Sequence, residues 1–256
     1  MTLIDTHTHL YLNDFAGDIQ TVIDKALSAG VKKFYLPSID STEMNNMLEL
    51  ERKYPECFSM MALHPCSVKA NYKEELSIVQ SWLGKRKFVA IGETGLDFYW
   101  DQTFKEAQYE CFNTHLEWAL EYHLPVVLHT RNAMRETIDV VKKYTYRGLQ
   151  GIFHCFSGSL AEAKEIIDAG FLLGIGGVVT YKNAGLAEVI KEIDMQYIVL
   201  ETDAPYLTPV PFRGKRNESS YLPLIVQKLA SLKNISEEEV ALITTANAER
   251  IFKTSP

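Results

Sequence analysis

The sequence predicts a (β/α)8 barrel, and three observations support this fold class. Eight short apolar runs alternate with longer stretches of helical periodicity. The apolar runs show little polar alternation, which is typical of parallel strands covered on both faces. The chain has 256 residues, a common length for single α/β barrels. We therefore expect one TIM-barrel hydrolase domain over residues 1–256; a doubly wound open sheet is the alternative, since the pattern cannot show closure.

Each strand is predicted where an apolar run stands, and each helix where apolar residues recur with a period near 3.6. The strands are LIDTH (3–7), FYLPS (34–38), FSMMALH (58–64), FVAIGE (88–93), PVVLH (125–129), LQGIFH (149–154), FLLGIGG (171–177) and YIVLETD (197–203). The helices are predicted over 18–29, 41–52, 73–83, 104–122, 132–143, 159–169, 186–193, 221–232 and 237–252. Gly30 and Gly170 directly follow predicted helices, where glycine commonly terminates a helix.

Composition narrows the class of protein. The formal net charge is −7, so nucleic acid would not be held by bulk electrostatics and would need a basic patch or bound cations. The four cysteines have no CxxC spacing, and we expect free thiols. No basic segment resembling a signal peptide opens the chain, and no apolar run approaches the roughly 18 residues of a membrane span. We expect a cytoplasmic protein with no membrane partner and no obligate protein partner.

Histidines and carboxylates collect where the predicted strands end. Because the carboxyl ends of barrel strands open on one face, these side chains are predicted to meet there. Their types are those that bind Zn, Mn, Fe or Mg ions. The candidate metal ligands are His7, His9, Glu93, His129, His154 and Asp203. Such a set exceeds the needs of one tetrahedral ion, so we predict two divalent cations that share a bridging carboxylate.

The remaining histidines receive different interpretations. His64 lies on the same face and is predicted to contact substrate, although a ligand role stays open. His115 lies within a helix and His123 in a turn, so both are expected to be structural. A single histidine at a strand end is more often a satisfied core residue than a ligand. The metal hypothesis therefore depends on the convergence of the whole set.

Three further segments suit a phosphate or a nucleobase, and each has a plain structural alternative. RGKR (213–216) could bind phosphate through Arg213, or it could be a solvated basic loop. GIGG (174–177) could hold phosphate at the end of a strand, or it could permit close backbone packing. Tyr99 and Trp100 could stack on a base, or they could be ordinary rim aromatics.

The motifs taken together resemble the TatD family of metal-dependent deoxyribonucleases, within the amidohydrolase-like superfamily. The matching motifs are IDTHTHL (4–10), ALHP (62–65), AIGETGLDFYW (90–100), PVVLHTR (125–131), GIFHCFSGS (151–159), GIGG (174–177), LETDAPYLTP (200–209) and RGKRNE (213–218). They follow the order of the family and span nearly the whole chain. One departure is Ser219, which stands where the family usually has proline.

The resemblance implies a distorted TIM barrel that hydrolyses phosphodiester bonds of DNA, with two or three divalent cations. It implies that His7, His9, Glu93 and Asp203 hold one cation, and that Glu93, His129 and His154 hold the second. Glu201 would serve a third cation or support the ligands. His64, Arg213 and Glu201 are accordingly the candidate substrate-side residues, with DNA or a nucleotide as the bound partner.

Asp203 is the predicted general base and Glu93 the second catalytic residue, since hydrolysis needs an activated water and a proton acceptor beside the cations. We expect a deoxyribonuclease acting from 3′ ends. A deacylase or other amidohydrolase is the alternative, because the same ligands serve both chemistries. A non-enzymatic metal-binding protein is a third hypothesis, which the presence of a base beside the ions disfavours.

Overall fold

The computed structural model describes residues 1–253 and contains eight parallel strands. The strands form a three-stranded sheet, in the order β1-β2-β3, and a five-stranded sheet, in the order β4-β5-β6-β7-β8. Their bounds are β1 Leu3–Asp5, β2 Val31–Leu36, β3 Cys57–Ser59, β4 Ile91–Asp97, β5 Val126–Arg131, β6 Gly151–Phe153, β7 Leu172–Ile175 and β8 Ile198–Leu200. The consecutive parallel order matches a barrel built from βα units.

Helices follow the strands in sequence and pack outside them. They are α1 Ile19–Ser28, α2 Met44–Lys53, α3 Tyr72–Leu83, α4 Lys105–Glu121, α5 Met134–Thr145, α6 Leu160–Asp168, α7 Leu186–Lys191, α8 Leu222–Lys233 and α9 Glu237–Phe252. Gly30 and Gly170 follow α1 and α6 with φ values of 97° and 87°, which confirms their terminating role because glycine alone adopts this region at little cost.

Backbone hydrogen bonds join the two sheets, so the barrel closes. The amide of Thr6 donates to the carbonyl of Leu200 at 2.9 Å, which connects the end of β1 to β8. On the other side, the amide of Met61 donates to the carbonyl of Ala90 at 3.2 Å, between the segments that follow β3 and precede β4. The fold is therefore a distorted TIM-like barrel, and the open-sheet alternative is wrong.

One apolar layer fills the barrel near its amino-terminal end. Each strand or its immediate flank contributes one buried side chain: Ile4, Tyr35, Met60, Ala90, Val127, Ile152, Leu172 and Val199. The final helix, α9, packs against this layer at the amino-terminal end of the barrel. The ring of Phe252 stacks on that of Tyr35 with centroids 3.9 Å apart. The amino-terminal end is thus packed shut, and the polar residues lie at the opposite, carboxyl-terminal end.

Several strand boundaries differ from the prediction in ways that affect the site. β1 ends at Asp5, so His7 and His9 lie in the following loop and not on a strand. Asp5 accepts hydrogen bonds from the backbone of Thr202 and His7, which turns the chain away from the ladder. β3 ends at Ser59, well before His64. β4 instead runs to Asp97, which places Glu93 inside the strand.

All four cysteines are unpaired: Cys57, Cys66, Cys111 and Cys155. Within residues 1–253, no helix combines the length and the apolar character needed to cross a lipid bilayer.

Candidate metal centre

The predicted metal ligands come together at the carboxyl-terminal end of the barrel. Five of the six, His9, Glu93, His129, His154 and Asp203, line one cavity of about 730 Å³. His7 lies immediately beneath them and is fully buried. Segments far apart along the chain therefore deliver their polar side chains to one point.

A first group of donor atoms forms around His7. Its Nε2 lies 3.3 Å from Nε2 of His9, 3.0 Å from Oε2 of Glu93 and 3.7 Å from Oδ1 of Asp203. Oδ1 of Asp203 lies 3.5 Å from Nε2 of His9. Asp203 adopts a positive φ of 56°, and its amide donates to the carbonyl of His7 at 2.9 Å. These contacts fix the segment after β8 against the segment after β1.

A second group forms around the other oxygen of Glu93. Oε1 of Glu93 lies 2.8 Å from Nδ1 of His129, 3.4 Å from Nε2 of His64 and 3.7 Å from Nε2 of His154. Glu93 thus directs Oε2 toward His7 and Oε1 toward His129. A carboxylate placed in this way can bridge two adjacent cations.

The electrostatics leave the carboxylates ionised. Burial alone would raise the pKa of Glu93, but His7, His64 and His154 hold it well below its usual range. Burial likewise opposes the ionisation of Asp203, yet His154 and the other histidines lower its pKa. Burial and the neighbouring His154 lower the pKa of His7, which favours a neutral imidazole.

Burial opposes protonation of His129 and His154, but Asp97 raises the pKa of His129 to about 8 and Glu201 raises that of His154 to about 10. These two imidazoles would therefore release a proton on binding a cation, and the ionised carboxylates would then complete a donor set suited to it.

Side chains behind the histidines orient three of the rings. Nδ1 of His9 lies 3.0 Å from the hydroxyl oxygen of Tyr11, whose hydrogen goes to the carbonyl of Pro37. Nε2 of His129 lies 2.9 Å from Oδ2 of Asp97, and Nδ1 of His154 lies 3.1 Å from Oε1 of Glu201. Each ring therefore presents its other nitrogen to the centre, as is usual around metal sites.

Tyr11 and Asp97 were not among the residues identified from the sequence. Asp97 was missed because the predicted strand ended at Glu93. In the longer strand, residues 93 and 97 are four positions apart, and such residues lie on the same face. A strand prediction extended over GETGLD would have indicated Asp97.

The donor atoms fit a cation on geometric grounds. Donors around a tetrahedral zinc ion stand about 3.3 Å apart, given bond lengths near 2.05 Å. The separations around His7 range from 3.0 to 3.7 Å. The ring of His7 also stacks on that of His154 with centroids 3.5 Å apart, both rings being buried. Among residues 1–253, five triads of potential ligand atoms lie within mutual reach. Two of them consist only of predicted ligands: His7, His9 and Asp203, and Glu93, His129 and His154.

His64 lies at the edge of this centre and lines the cavity. Its Nδ1 accepts a hydrogen bond from the amide of Cys66 at 3.1 Å, so the neutral ring carries its proton on Nε2. That nitrogen faces Glu93. His64 is therefore placed to donate a hydrogen bond into the cavity.

The structure separates Glu201 and Arg213 from the other candidates. Glu201 is fully buried behind His154, where it also accepts from the amide of Cys155 at 2.5 Å. Arg213 is exposed, with its guanidinium 4.3 Å from the ring centroid of Tyr181, and it does not line the cavity. Neither position favours direct contact with a substrate in the cavity.

Much of the segment from 213 to 219 is structural. Arg216 forms a bidentate pair with Asp18, at 2.7 and 2.8 Å, and also donates to the carbonyl of Asp14. Ser219 donates to Oδ2 of the buried Asp5 at 2.6 Å. The serine thus contributes a hydrogen bond that a proline could not donate.

The GIGG segment serves close packing. A Cβ added at Gly174 would lie 2.2 Å from Oε2 of Glu201, and one at Gly177 would lie 2.1 Å from the carbonyl of Leu207. Both glycines therefore allow neighbouring groups to approach the backbone. The close packing at Gly174 supports the position of Glu201.

Comparison with known proteins identifies the family of this chain. The family model described as TatD related DNase matches residues 4–253. The uncharacterized metal-dependent hydrolase YabD of Bacillus subtilis is 37% identical, over 98% of this chain and 99% of the relative. A protein of Erwinia tasmaniensis named 3′-5′ ssDNA/RNA exonuclease TatD is 33% identical, over 98% and 99%.

A solved structure shares the fold. The TatD homologue YJJV of Escherichia coli K12 superposes with a TM-score of 0.93 at 29% identity, covering 99% of this chain and 98% of that one. The matches cover nearly the whole length of the chain. The chain therefore belongs to the TatD-related DNase family of metal-dependent hydrolases.

Proposed function

We propose that this protein hydrolyses phosphodiester bonds of single-stranded nucleic acid from the 3′ end, with two divalent cations in the centre around Glu93. The main support for two cations is that the two oxygens of Glu93 face two different groups of histidines. The relative named as a 3′-5′ single-stranded DNA and RNA exonuclease supports the choice of substrate. The cavity beside the centre offers room for a terminal nucleotide.

His7, His9 and Asp203 would hold one cation, His129 and His154 the second, and Glu93 would contact both. Bound cations would supply Lewis acidity, which activates water and offsets the charge of the phosphate. Tyr11 and Asp97 would keep the rings of His9 and His129 oriented through hydrogen bonds, and Glu201 would hold the ring of His154 through its charge at 3.1 Å. We thus reassign Glu201 from substrate contact to a positioning role.

Asp203 is the group best placed to accept a proton from the attacking water. Its carboxylate is ionised, lines the cavity and is partly exposed there, with 14% of the side chain accessible. In the reaction the oxygen of water bonds to phosphorus, its proton passes to Asp203, and the bond from phosphorus to the departing sugar oxygen breaks. That oxygen takes up a proton from solvent water. His64 faces the same cavity and would donate a hydrogen bond to a phosphate oxygen.

A substrate panel tests this function. Wild-type protein loaded with Mg²⁺, Mn²⁺ or Zn²⁺ is incubated with a 5′-labelled single strand of DNA or RNA, and the products are sized on a gel. We expect stepwise shortening from the 3′ end, which stops with EDTA or with phosphorothioate linkages at the 3′ terminus. Asp203→Asn should slow cleavage by about 10²–10⁴-fold, the usual contribution of a general base.

Asp168→Asn is the matched control, since Asp168 is exposed at the end of α6, and its rate should equal that of wild type. The same panel includes p-nitrophenyl esters and N-acyl amides. Metal-dependent turnover of an ester or amide, with every oligonucleotide left intact, would favour the deacylase alternative and contradict the proposal.

A further inference from the structure

A group of exposed aromatic rings stands at the mouth of the cavity. Tyr99 and Trp100, directly after β4, are 51% and 68% exposed. The guanidinium of Arg131, at the end of β5, lies 3.8 Å from the ring centroid of Tyr99 and 5.1 Å from that of Trp100. Trp100 and Arg131 line the same cavity as Asp203. We call Tyr99, Trp100 and Arg131 the rim cluster.

Backbone hydrogen bonds anchor the loop that carries Tyr99 and Trp100. Oδ1 of Asp97 accepts from the amides of Tyr99 and Trp100 at 2.9 and 3.2 Å. The side chain of Gln108, in α4, accepts a hydrogen bond from the backbone amide of Asp97 at 2.9 Å. It also donates one to the backbone carbonyl of Asp97 at 3.1 Å. Since the other oxygen of Asp97 faces His129, one carboxylate fixes both the rim cluster and a ligand of the metal centre. Such preorganisation lowers the entropic cost of binding.

The charge at the rim cluster opposes the charge of the whole chain. The net charge is −7, yet among residues 1–253 no carboxylate forms an ion pair with Arg131. Its partners are the faces of two aromatic rings, which leave the guanidinium edge free to meet an anion. A flat apolar surface beside an unpaired guanidinium fits a nucleobase joined to a phosphate.

Resting on the proposed function, we propose that the rim cluster is a subsite for one nucleotide of a single strand. The base stacks on the indole of Trp100, and its phosphate pairs with Arg131 while the scissile phosphate lies in the cavity. Every base has a face that can stack, so the subsite accepts any sequence. Bases inside a duplex have both faces covered by their neighbours, so a base of a duplex away from its terminus cannot occupy the subsite, and the subsite favours single strands.

Binding measurements on base-deleted strands test the subsite. Phosphorothioate oligonucleotides resist cleavage, so their affinity is measured by fluorescence anisotropy in the presence of the activating cation. In the wild type, replacing a nucleotide by an abasic sugar should weaken binding most at one position near the 3′ end. Trp100→Ala should weaken binding of the intact strand by about 5- to 150-fold, the usual effect of losing one stacked base.

The decisive comparison combines the two changes. In Trp100→Ala, removing the base at the sensitive position should have no further effect, because its partner is already gone. Arg131→Gln should weaken binding of intact and abasic strands alike and reduce the dependence on salt. Tyr146→Ala removes a ring that is 84% exposed at the end of α5, outside the cavity lining, and should bind as wild type does.

Equal affinity of Trp100→Ala and wild type, or a wild type that binds no strand at all, would overturn the subsite. Retained cleavage of ordinary oligonucleotides in the first case would leave the proposed function standing. Absent cleavage by a wild type that still shows the Trp100-dependent base effect would instead refute the proposed function alone.

Discussion

Individual imidazoles in this protein are oriented by the group on their far side. His9 faces Tyr11, His129 faces Asp97, and each turns its other nitrogen to the centre. In His9 the proton lies on Nδ1, because the hydroxyl of Tyr11 donates its own hydrogen to Pro37, and Nε2 keeps a lone pair for a cation. His129 has a carboxylate beside each nitrogen, so Nδ1 would bind a cation only after losing its proton, while Nε2 keeps its hydrogen bond to Asp97. At the scale of the residue, the centre therefore depends on tautomers as much as on the ligands themselves.

His115 shows the same dependence in a structural role. It is fully buried in α4, its Nε2 accepts from the amide of Leu63 at 3.1 Å, and its Nδ1 lies 3.0 Å from the hydroxyl of Thr94. Burial lowers the pKa of His115 to about 3 from 6.5. The folded protein therefore binds one proton fewer than the unfolded chain between pH 6.5 and 3, and stability is lost as pH falls through that window.

We predict that His115→Gln removes this part of the acid sensitivity. Between pH 6.5 and 3, the free energy of unfolding should fall more steeply with decreasing pH in the wild type than in the variant. The difference in slope should be about 1.4 kcal/mol per pH unit, measured by urea unfolding at several pH values. His123→Asn, which replaces an exposed histidine, should follow the slope of the wild type. Parallel pH profiles for wild type and His115→Gln would refute the assignment.

Much of the candidate centre could be predicted from residue types alone. His7, His9, Glu93, His129, His154 and Asp203 follow or occupy apolar runs, and the barrel brings such positions together. Asp97 and Tyr11 could not be selected in this way, because their importance lies in a partner chosen by three-dimensional packing. Their metal-supporting roles, like those of the six ligands, remain proposals.

At the scale of the element, β7 and β8 support each other through a glycine. Gly174 lies opposite Val199 in the parallel ladder, and its missing side chain leaves space for the carboxylate of Glu201. Glu201 in turn contacts His154 and the amide of Cys155. The missing side chain at Gly174 therefore allows Glu201 to lie beside His154, one of the proposed metal ligands.

Gly174→Ala should therefore weaken metal binding. The new methyl group would lie 2.2 Å from the Glu201 carboxylate and displace it, so the His154 ring would lose its support. We expect the affinity for the weaker-bound cation to fall about 10- to 100-fold, measured by competition with a chromophoric chelator. Gly17→Ala is the control, since no atom lies within 4 Å of its added Cβ. Equal affinities in the two variants would contradict this role of Gly174.

The segment before α8 is fastened to β1 through Ser219. Its hydroxyl donates at 2.6 Å to the buried Asp5, which also accepts from the amide and hydroxyl of Thr202. Burial raises the pKa of the Asp5 carboxyl to about 7, and the hydrogen bonds donated to this carboxyl oppose that shift by stabilising its ionised form. The contact joins the first strand to the segments that follow the last.

Ser219→Ala should lower the free energy of unfolding by about 1.5–3 kcal/mol, the usual range for a hydrogen bond to a charged group. Urea unfolding at pH 8 provides the measurement. Ser81→Ala, on the exposed side of α3, should change the same quantity by less than about 0.5 kcal/mol. If both variants unfold at the same urea concentration, the Asp5 contact contributes little.

At the scale of the whole molecule, closure of the barrel makes the site possible. The order of strands and helices was predictable because each unit has its own periodicity. Closure was not predictable, since it depends on backbone hydrogen bonds such as that from Thr6 to Leu200. Strand ends were also misplaced, because residues such as His64 continue an extended path without ladder pairing.

The single-domain organisation stays a prediction, and the interior layer gives it a physical basis. Every strand or its flank contributes one side chain to that layer. Unfolding of one strand and its helix would therefore expose the apolar side chains of the others. We expect one unfolding transition in urea, with the same midpoint by far-UV circular dichroism and by the fluorescence of the three tryptophans, Trp82, Trp100 and Trp118. Two separated midpoints would indicate independently folding parts.

The central claim is that imidazoles and carboxylates from distant segments together hold two divalent cations. Anomalous scattering from crystals grown with Mn²⁺ or Zn²⁺ tests it most directly. We expect two peaks on either side of the Glu93 carboxylate, one beside His7, His9 and Asp203 and the other beside His129 and His154. Absence of any peak there, with cations found elsewhere or not at all, would contradict it.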